Sequence, residues 1–282
     1  MNAREEAGAG WRGYALVAPA LAVIALFFVL PLGLSAVLAF RAKDGGLTLE
    51  HFAKSWELYQ TDLTFTIGIV LLSTVLIGMV AILVAGYLTL GENPRAVAIL
   101  RWLYRWPLFI PFIVAAQCMR TFLAKNGLMN NSFVAMGLME PLPAVSFLDW
   151  RGIIATFVWK QTPFVALLLA GALAALDRAT LEAGRNLGAT RLRVLVELAL
   201  PQVMPQLLVA LVLSFVTMLS VLSVPMMVAG SQPTMLTVDM AFRINAYGDY
   251  ATANALGVVT YLLSAGAAII YLKRGMAKEG AT

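Results

Sequence analysis

The polar positions of this chain fall in clusters, and between the clusters run long stretches that are apolar on every face. Six such stretches occur, at about 13–40, 63–90, 102–123, 152–176, 203–229 and 251–272. Each reaches the roughly 20 residues that a helix needs to cross a bilayer. The first of them, from Tyr14 to Phe40, runs 27 residues without a charge. That is too long for a signal-peptide core, and no small-residue cleavage site follows, so it reads as a retained span. A spanning helix satisfies its own backbone, which lipid cannot do. A closed barrel is the other solution, but its strands alternate apolar and polar residues, and none of these runs does. The pattern predicts an all-α membrane protein of six transmembrane helices, with a single transmembrane domain over 1–282 and no soluble domain, internal repeat or low-complexity tract.

The basic residues set an orientation, because Lys and Arg accumulate on the cytoplasmic side. With the N-terminus inside, the inner segments hold twelve of the twenty: Arg4, Arg12, Arg95, Arg101, Arg105, Arg178, Arg185, Arg191, Arg193, Lys273, Arg274 and Lys278. The outer segments hold seven: Arg41, Lys43, Lys54, Arg120, Lys125, Arg151 and Arg243. Lys160 lies within a span. Both termini are expected in the cytoplasm, with 177–202 as a cytoplasmic loop. Arg120 is expected at the outer end of span three. The outer loops at 124–151 and 230–250 carry the turn signals "KNGLMNN", "EPLP", "GSQP" and "YGD". Asn130 and Asn131 are expected to serve the first of these turns.

Composition removes several functions. Charged residues make up 12% of the chain and hydrophobic ones 61%, against about 25% charged in a soluble domain. One cysteine and one histidine exclude a disulfide framework and argue against a zinc site. Cys118 and the thirteen methionines read as apolar packing. The net charge of +5 sits where membrane lipid, and not nucleic acid, is the expected partner. No carboxylate lies inside any span, which weighs against a proton-coupled carrier. There is no catalytic set, so no enzyme is expected. No G-x-x-x-x-G-K-[ST] loop occurs, so any ATP-driven step needs another polypeptide.

One charged segment, "LEAGRNLGATRLRVLVELALP" at 181–201, interrupts the apolar pattern. The residues from Asp177 to Leu187 favour helix, and Gly188 can take the left-handed conformation that ends one. Thr190 then suits the N-cap of a second helix. Leu192, Leu195, Val196 and Ala199 would share one face, and Arg193 would pair with Glu197. Pro201 is expected to close this helix. The residues alone allow a plain connecting loop as well as a bent, surface-lying functional element.

The most polar patch within a span is Lys160, Gln161 and Thr162, followed by Pro163, which removes the hydrogen bond to the Trp159 carbonyl. This suggests a wet, protein-lined cavity; the alternative is a lysine that snorkels to the headgroups. Gln117, Thr217 and Ser220 are further candidates for a translocation path, with Ser223 weaker, although hydroxyls in spans also serve as packing glue.

The charged segment resembles the "EAA" signature of the integral-membrane permease subunits of binding-protein-dependent ABC importers. That pattern is Glu-Ala-Ala, three residues, Gly, nine residues, Ile, one residue, Leu-Pro. It is matched by Glu182-Ala183-Gly184, Gly188, Leu198 and Leu200-Pro201, with Gly184 in place of the third Ala and Leu198 in place of Ile. "WKQTPF" at 159–164, "NGLMN" at 126–130 and the opening span "LVAPALAVIALFFVLPLGLSAVLAF" are also similar to the family, though less specific. The resemblance implies the type I importer permease fold and a bacterial inner-membrane location. It implies that Glu182, Ala183, Gly184, Arg185, Gly188, Ala189 and Pro201 form a coupling helix that docks on a cytoplasmic ATPase. The partners it implies are an ABC ATPase dimer, which binds ATP and Mg, a second related permease and an extracytoplasmic solute-binding protein. No metal or cofactor is expected in this chain.

The expected function is half of a solute pathway. "DY-x-x-A-x-A" from Asp249 to Ala255 resembles sugar permeases, and the "LGA" at 187–189 is similar to polyamine and inorganic-ion ones. The expected cargo is a carbohydrate or related polar solute, with a polyamine or other small ion as the alternative. A secondary carrier would need an inverted repeat and intramembrane carboxylates.

Overall fold

The computed structural model describes residues 16–42, 44–138, 140, 145–229 and 232–279, with side chains as far as residue 269. The expectations placed on residues 13–15, Arg4, Arg12, Lys43, the turn at 141–144 and the side chains of Lys273, Arg274 and Lys278 lie outside these. The chain runs as α1 (Leu16–Phe40), α2 (Glu50–Leu90), α3 (Pro94–Leu103), a 3-10 turn (Trp106–Phe109) and α4 (Phe112–Leu123). It continues as α5 (Leu128–Ala135), α6 (Trp150–Ala174), α7 (Arg178–Asn186), α8 (Arg191–Ser220), α9 (Ser223–Val228), α10 (Leu236–Tyr247) and α11 (Tyr250–Glu279). No sheet forms among the described residues.

Five helices are long and apolar enough to cross a membrane singly: α1, α2, α6, α8 and α11 over Tyr250–Ile269. The count reaches six if a broken pair, Pro94–Phe109 and Phe112–Ala135, bent by 108°, is taken as one span. The sequence expectation of one helix over 102–123 is therefore corrected. Pro107 and Pro111 interrupt it, and Ile110, forced out of the helical region by the following ring, sits extended at φ −93°, ψ 120°.

Two other boundaries move. α2 starts at Glu50 rather than 63, because its first turns carry charges that ended the apolar run without breaking the helix. The fifth span, expected over 203–229, starts at Arg191 and stops at Ser220. A continued helix would set the ring of Pro225 against the carbonyl of Val221, and Val221 is extended at φ −77°, ψ 118°.

The chain divides into two compact units, one of residues 1–58 and 240–261, the other of 59–239 and 262–282. In the first, α1 is exposed along nearly its whole length and ends in a tight turn. Gly45 takes φ +88° there, Ala42 N–H donates to Gly46 O at 2.8 Å, and Phe40 stacks on Phe52 at 4.7 Å. Ser35 Oγ donates to Asn254 Oδ1 at 2.6 Å. Asp249 caps α11, accepting from Thr252 N–H at 3.1 Å and Thr252 Oγ at 2.8 Å, and pairs with Lys54 Nζ at 2.6 Å. Burial raises the Asp249 carboxyl, but the hydrogen bonds from Lys54 and Thr252 outweigh it and bring its pKa from 3.8 down to about 2.

The second unit holds the main core. α6 and α8 make its most extensive pairing, around Ile153, Phe157, Val165, Leu169, Val203, Leu207 and Ala210. α2 joins through Val70, Ile77, Ala81 and Ala85, and α9 packs on α4 and α6. At one end of this unit, Phe147 N–H donates to Leu123 O at 3.0 Å. There the buried Asn130 amide donates to the carbonyls of Lys125 and Val145, each at 2.9 Å, closing the turn expected of it. Asn131 Nδ2 donates to Asn126 O at 3.1 Å.

Candidate functional site

The charged segment folds as two helices meeting at a fixed bend. Asp177 caps α7, accepting from Ala179 N–H at 3.0 Å, and only Leu181 of α7 is buried. The helix ends in a Schellman stop: Ala189 N–H donates to Gly184 O at 3.2 Å and Gly188 N–H to Arg185 O at 2.9 Å. Gly188 takes φ +88°, a conformation that costs an L side chain about 1–2 kcal/mol. Thr190 then caps α8, accepting from Arg193 N–H at 3.3 Å. Arg193 pairs with Glu197 at 2.9 Å.

Two details differ from the sequence reading. Pro201 does not close a helix, because α8 runs through it without a break into its membrane-crossing length. The preceding turn, Val194–Ala199, is a π turn in which Leu200 N–H reaches back to Leu195 O. This wider turn accommodates a ring that lacks an N–H. The buried face matches the predicted one in half of its residues. Leu195 and Ala199 are buried as expected and Val194 joins them, while Leu192 and Val196 are exposed, since the π turn shifts the helix phase.

Gly184 and Leu198, the two departures from the family pattern, touch. A Cβ built on Gly184 would stand 2.5 Å from Leu198 Cδ1. Glycine there lets α7 lie close on α8, a close approach that only a missing Cβ allows. Glu182, Ala183 and Leu187 point outward; Leu187 at the apex is 89% exposed. Arg185, Asn186, Gly188, Ala189, Thr190 and Arg191, with Glu182, line a concavity of 670 Å³ at the bend. Ala189 and Gly184 are half-buried, and Pro201 is exposed.

Sequence reasoning missed Glu92. It sits in the three-residue link between α2 and α3, and its Oε1 accepts from Arg185 Nη2 at 2.8 Å and also pairs with Arg191. The signal was available: Glu92 falls on the same side as 177–202 when the spans alternate.

Of the path candidates, three consecutive residues are buried. Lys160, Gln161 and Thr162 are buried on α6, at 7%, 6% and 7% exposure. The Lys160 ammonium turns inward, 5.0 Å over the Phe112 ring at the start of α4, and makes no ion pair among the described residues. Thr162 Oγ1 is buried without a hydrogen-bond partner. Thr217 Oγ1 and Ser220 Oγ donate to their own helix, to Leu213 O at 2.7 Å and Thr217 O at 2.8 Å. Gln117 is exposed on α4, Arg120 lies in that helix's last turn, and Cys118, expected in packing, is exposed on this chain. Among the described residues no group of three His, Cys, Asp or Glu could hold a metal.

Comparison with known proteins adds three findings. A family model described as "binding-protein-dependent transport system inner membrane component" matches residues 78–273. Among individual relatives, the chain is 26% identical to the trehalose/maltose transport system permease protein MalF of Thermococcus litoralis, over 93% of each chain. It is 28% identical to the sulfoquinovosyl glycerol transport system permease protein SmoG of Agrobacterium fabrum, over 71% of this chain and 69% of that one. It is 27% identical to a putative 2-aminoethylphosphonate transport system permease protein PhnU of Salmonella typhi, over 91% and 89%. Among solved structures, a chain of the bacterial alginate ABC transporter in complex with an alginate pentasaccharide-bound periplasmic protein superposes with TM-score 0.79 at 21% identity, over 96% of both chains. A chain of the MetNI methionine ABC transporter does so with TM-score 0.59 at 18% identity, over 78% of this chain and 95% of that one.

Proposed function

Since the chain belongs to the family of inner-membrane components of binding-protein-dependent transport systems, we propose that it forms half of a carbohydrate pathway and carries the lever through which a cytoplasmic ATPase drives it. The chain is an ABC importer permease with the all-helical fold of type I importer permeases, and the ATPase of such a system is a separate subunit.

One observation carries the proposal. The bent segment ends in a Schellman stop, restarts on a threonine cap and continues unbroken into α8. Force applied at the exposed apex therefore reaches a membrane-crossing helix with no flexible link between. In the proposed orientation both termini and 177–202 face the cytoplasm. ATP and Mg bound by an ATPase dimer bring the two ATPase subunits together; the grip on Glu182, Ala183 and Leu187 shifts, and α8 follows. Only contacts that differ between the two ATPase states can bias the permease.

The path is proposed to run past Lys160, Gln161, Thr162 and Gln117, with Thr217 and Ser220 on the neighbouring helix. A buried hydroxyl without a partner, as on Thr162, supports a site completed by water or solute. A second, related permease supplies the other half, and an extracytoplasmic binding protein delivers the cargo. The carbohydrate reading is supported by relatives named for trehalose/maltose and sulfoquinovosyl glycerol. The phosphonate relative favours a small organic anion as the second reading. The test is to purify the complex and its binding protein, screen sugars and phosphonates by thermal shift on that protein, and measure ATP turnover with the hit. A sugar that shifts the binding protein and stimulates turnover is expected. A phosphonate hit would replace the carbohydrate, and solute-independent turnover throughout would refute the importer role.

A further inference from the structure

We propose that Glu92 is the positioning residue of the bent segment, holding Arg185 and Arg191 from opposite sides of the Gly188 bend and tying them to the inner end of α2. The inference rests on the coupling role proposed above. Three observations carry it.

First, one carboxylate oxygen serves both arginines, one from α7 before the bend and one from α8 after it. Without it, two guanidiniums would face each other across the turn, and their repulsion would open the angle that the Schellman stop sets.

Second, Glu92 is itself held. Gly91 N–H closes α2 on Tyr87 O at 2.9 Å, and Asn93 Oδ1 caps α3, accepting from Arg95 and Ala96 N–H at 3.1 and 3.2 Å. A residue fixed between two helix ends can direct its neighbours.

Third, an apolar contact of independent origin joins the same elements. A methyl of Leu195, in the π turn of α8, fills the space where Gly86 of α2 lacks a Cβ. α2 and the link that follows it therefore meet α8 twice, once by packing at Gly86 and once by charge at Glu92.

An exposed ion pair adds little to stability, and all three side chains here are partly exposed. Glu92 thus acts on geometry more than on stability. It also divides the labour of the segment: Arg185 and Arg191 turn to Glu92, which leaves Glu182 and Arg178, both exposed and without an ion pair among the described residues, as the charged groups of α7 offered to the ATPase.

The test uses the complete importer in lipid, with Cys118→Ser and spin labels on cysteines placed at Leu83 of α2 and Ala179 of α7. MgATP with vanadate is the probe, so no solute is needed. The expected result is one narrow distance distribution with and without the probe. Glu92→Gln should broaden or split it while the ATPase still co-purifies and the melting temperature holds. Glu92→Asp should restore it in part, and Glu92→Arg with Arg191→Glu should restore more than either single change. A distribution unchanged by Glu92→Gln, or no rescue by the swapped pair, overturns the inference. If the unsubstituted chain retains no ATPase, the coupling reading itself falls, and this inference falls with it.

Discussion

Leu198 Cδ1 occupies the space that a Cβ on Gly184 would need, at 2.5 Å. The two residues are the only ones quoted from the motif that depart from its pattern, and they compensate each other. Gly184→Ala gains helix propensity worth about 1 kcal/mol, but it overpacks the α7–α8 contact at a cost of about 1–3 kcal/mol. The single change should therefore lower the melting temperature or leave it level. Leu198→Ala in the same chain should turn Gly184→Ala into a gain. A double-mutant cycle in thermal melts measures this coupling, and additive effects would show that the contact does not matter.

Lys160 brings a cation to a buried place beside Phe112, and among the described residues no carboxylate pairs with it. A buried charge without a partner is costly, and an apolar residue of similar shape removes that cost. Lys160→Met should thus hold or raise the melting temperature while uptake of the identified solute falls. Full uptake in that variant would remove Lys160 from the path.

α3 and the turn after it carry Trp102 and Trp106 edge to face at 4.3 Å, both more than half exposed. Arg101 and Arg105 line the same groove. Bent by 108° from the following helix, this element should lie along the headgroup layer, where Trp and Arg are favoured. Tryptophan emission lost in Trp102→Phe/Trp106→Phe should be the fraction quenched by lipids brominated near the headgroup. Quenching by deep bromines alone would place α3 across the bilayer.

Asp249 ties Lys54 to the first turn of α11, and its folded pKa of about 2 lies below the ordinary 3.8. The stabilisation is complete above that ordinary value and drains away as pH falls through about 2. Thermal melts over this acid range should show a slope that Asp249→Asn lacks; equal slopes would show that the cap carries no linkage.

Six apolar runs made the helical membrane fold legible, because a span must be apolar wherever it meets lipid. The Gly188 bend, the Thr190 cap and the Arg193–Glu197 pair were legible too, since each depends on residues within four positions. What was not legible depends on longer-range or subtler geometry. The break at Pro111 was passed over because the run around it is apolar enough to read as one span despite Arg105, Gln117 and Arg120, and the π turn by which Pro201 stays inside α8 shows no compositional mark. Glu92 lies 93 positions from Arg185, beyond any motif. Lys160 was visible as an oddity, but its turn toward Phe112 follows from the break in the preceding crossing.

In the proposed mechanism a separate ATPase in the cytoplasm grips the apex of the bent segment. Leu187, exposed beside Gly188, is the position to question. A photo-activatable residue placed there, in cells that contain the whole system, should cross-link to the ATPase subunit. Labelling of lipid alone, or of an extracytoplasmic protein, would refute the grip of an ATPase on this apex.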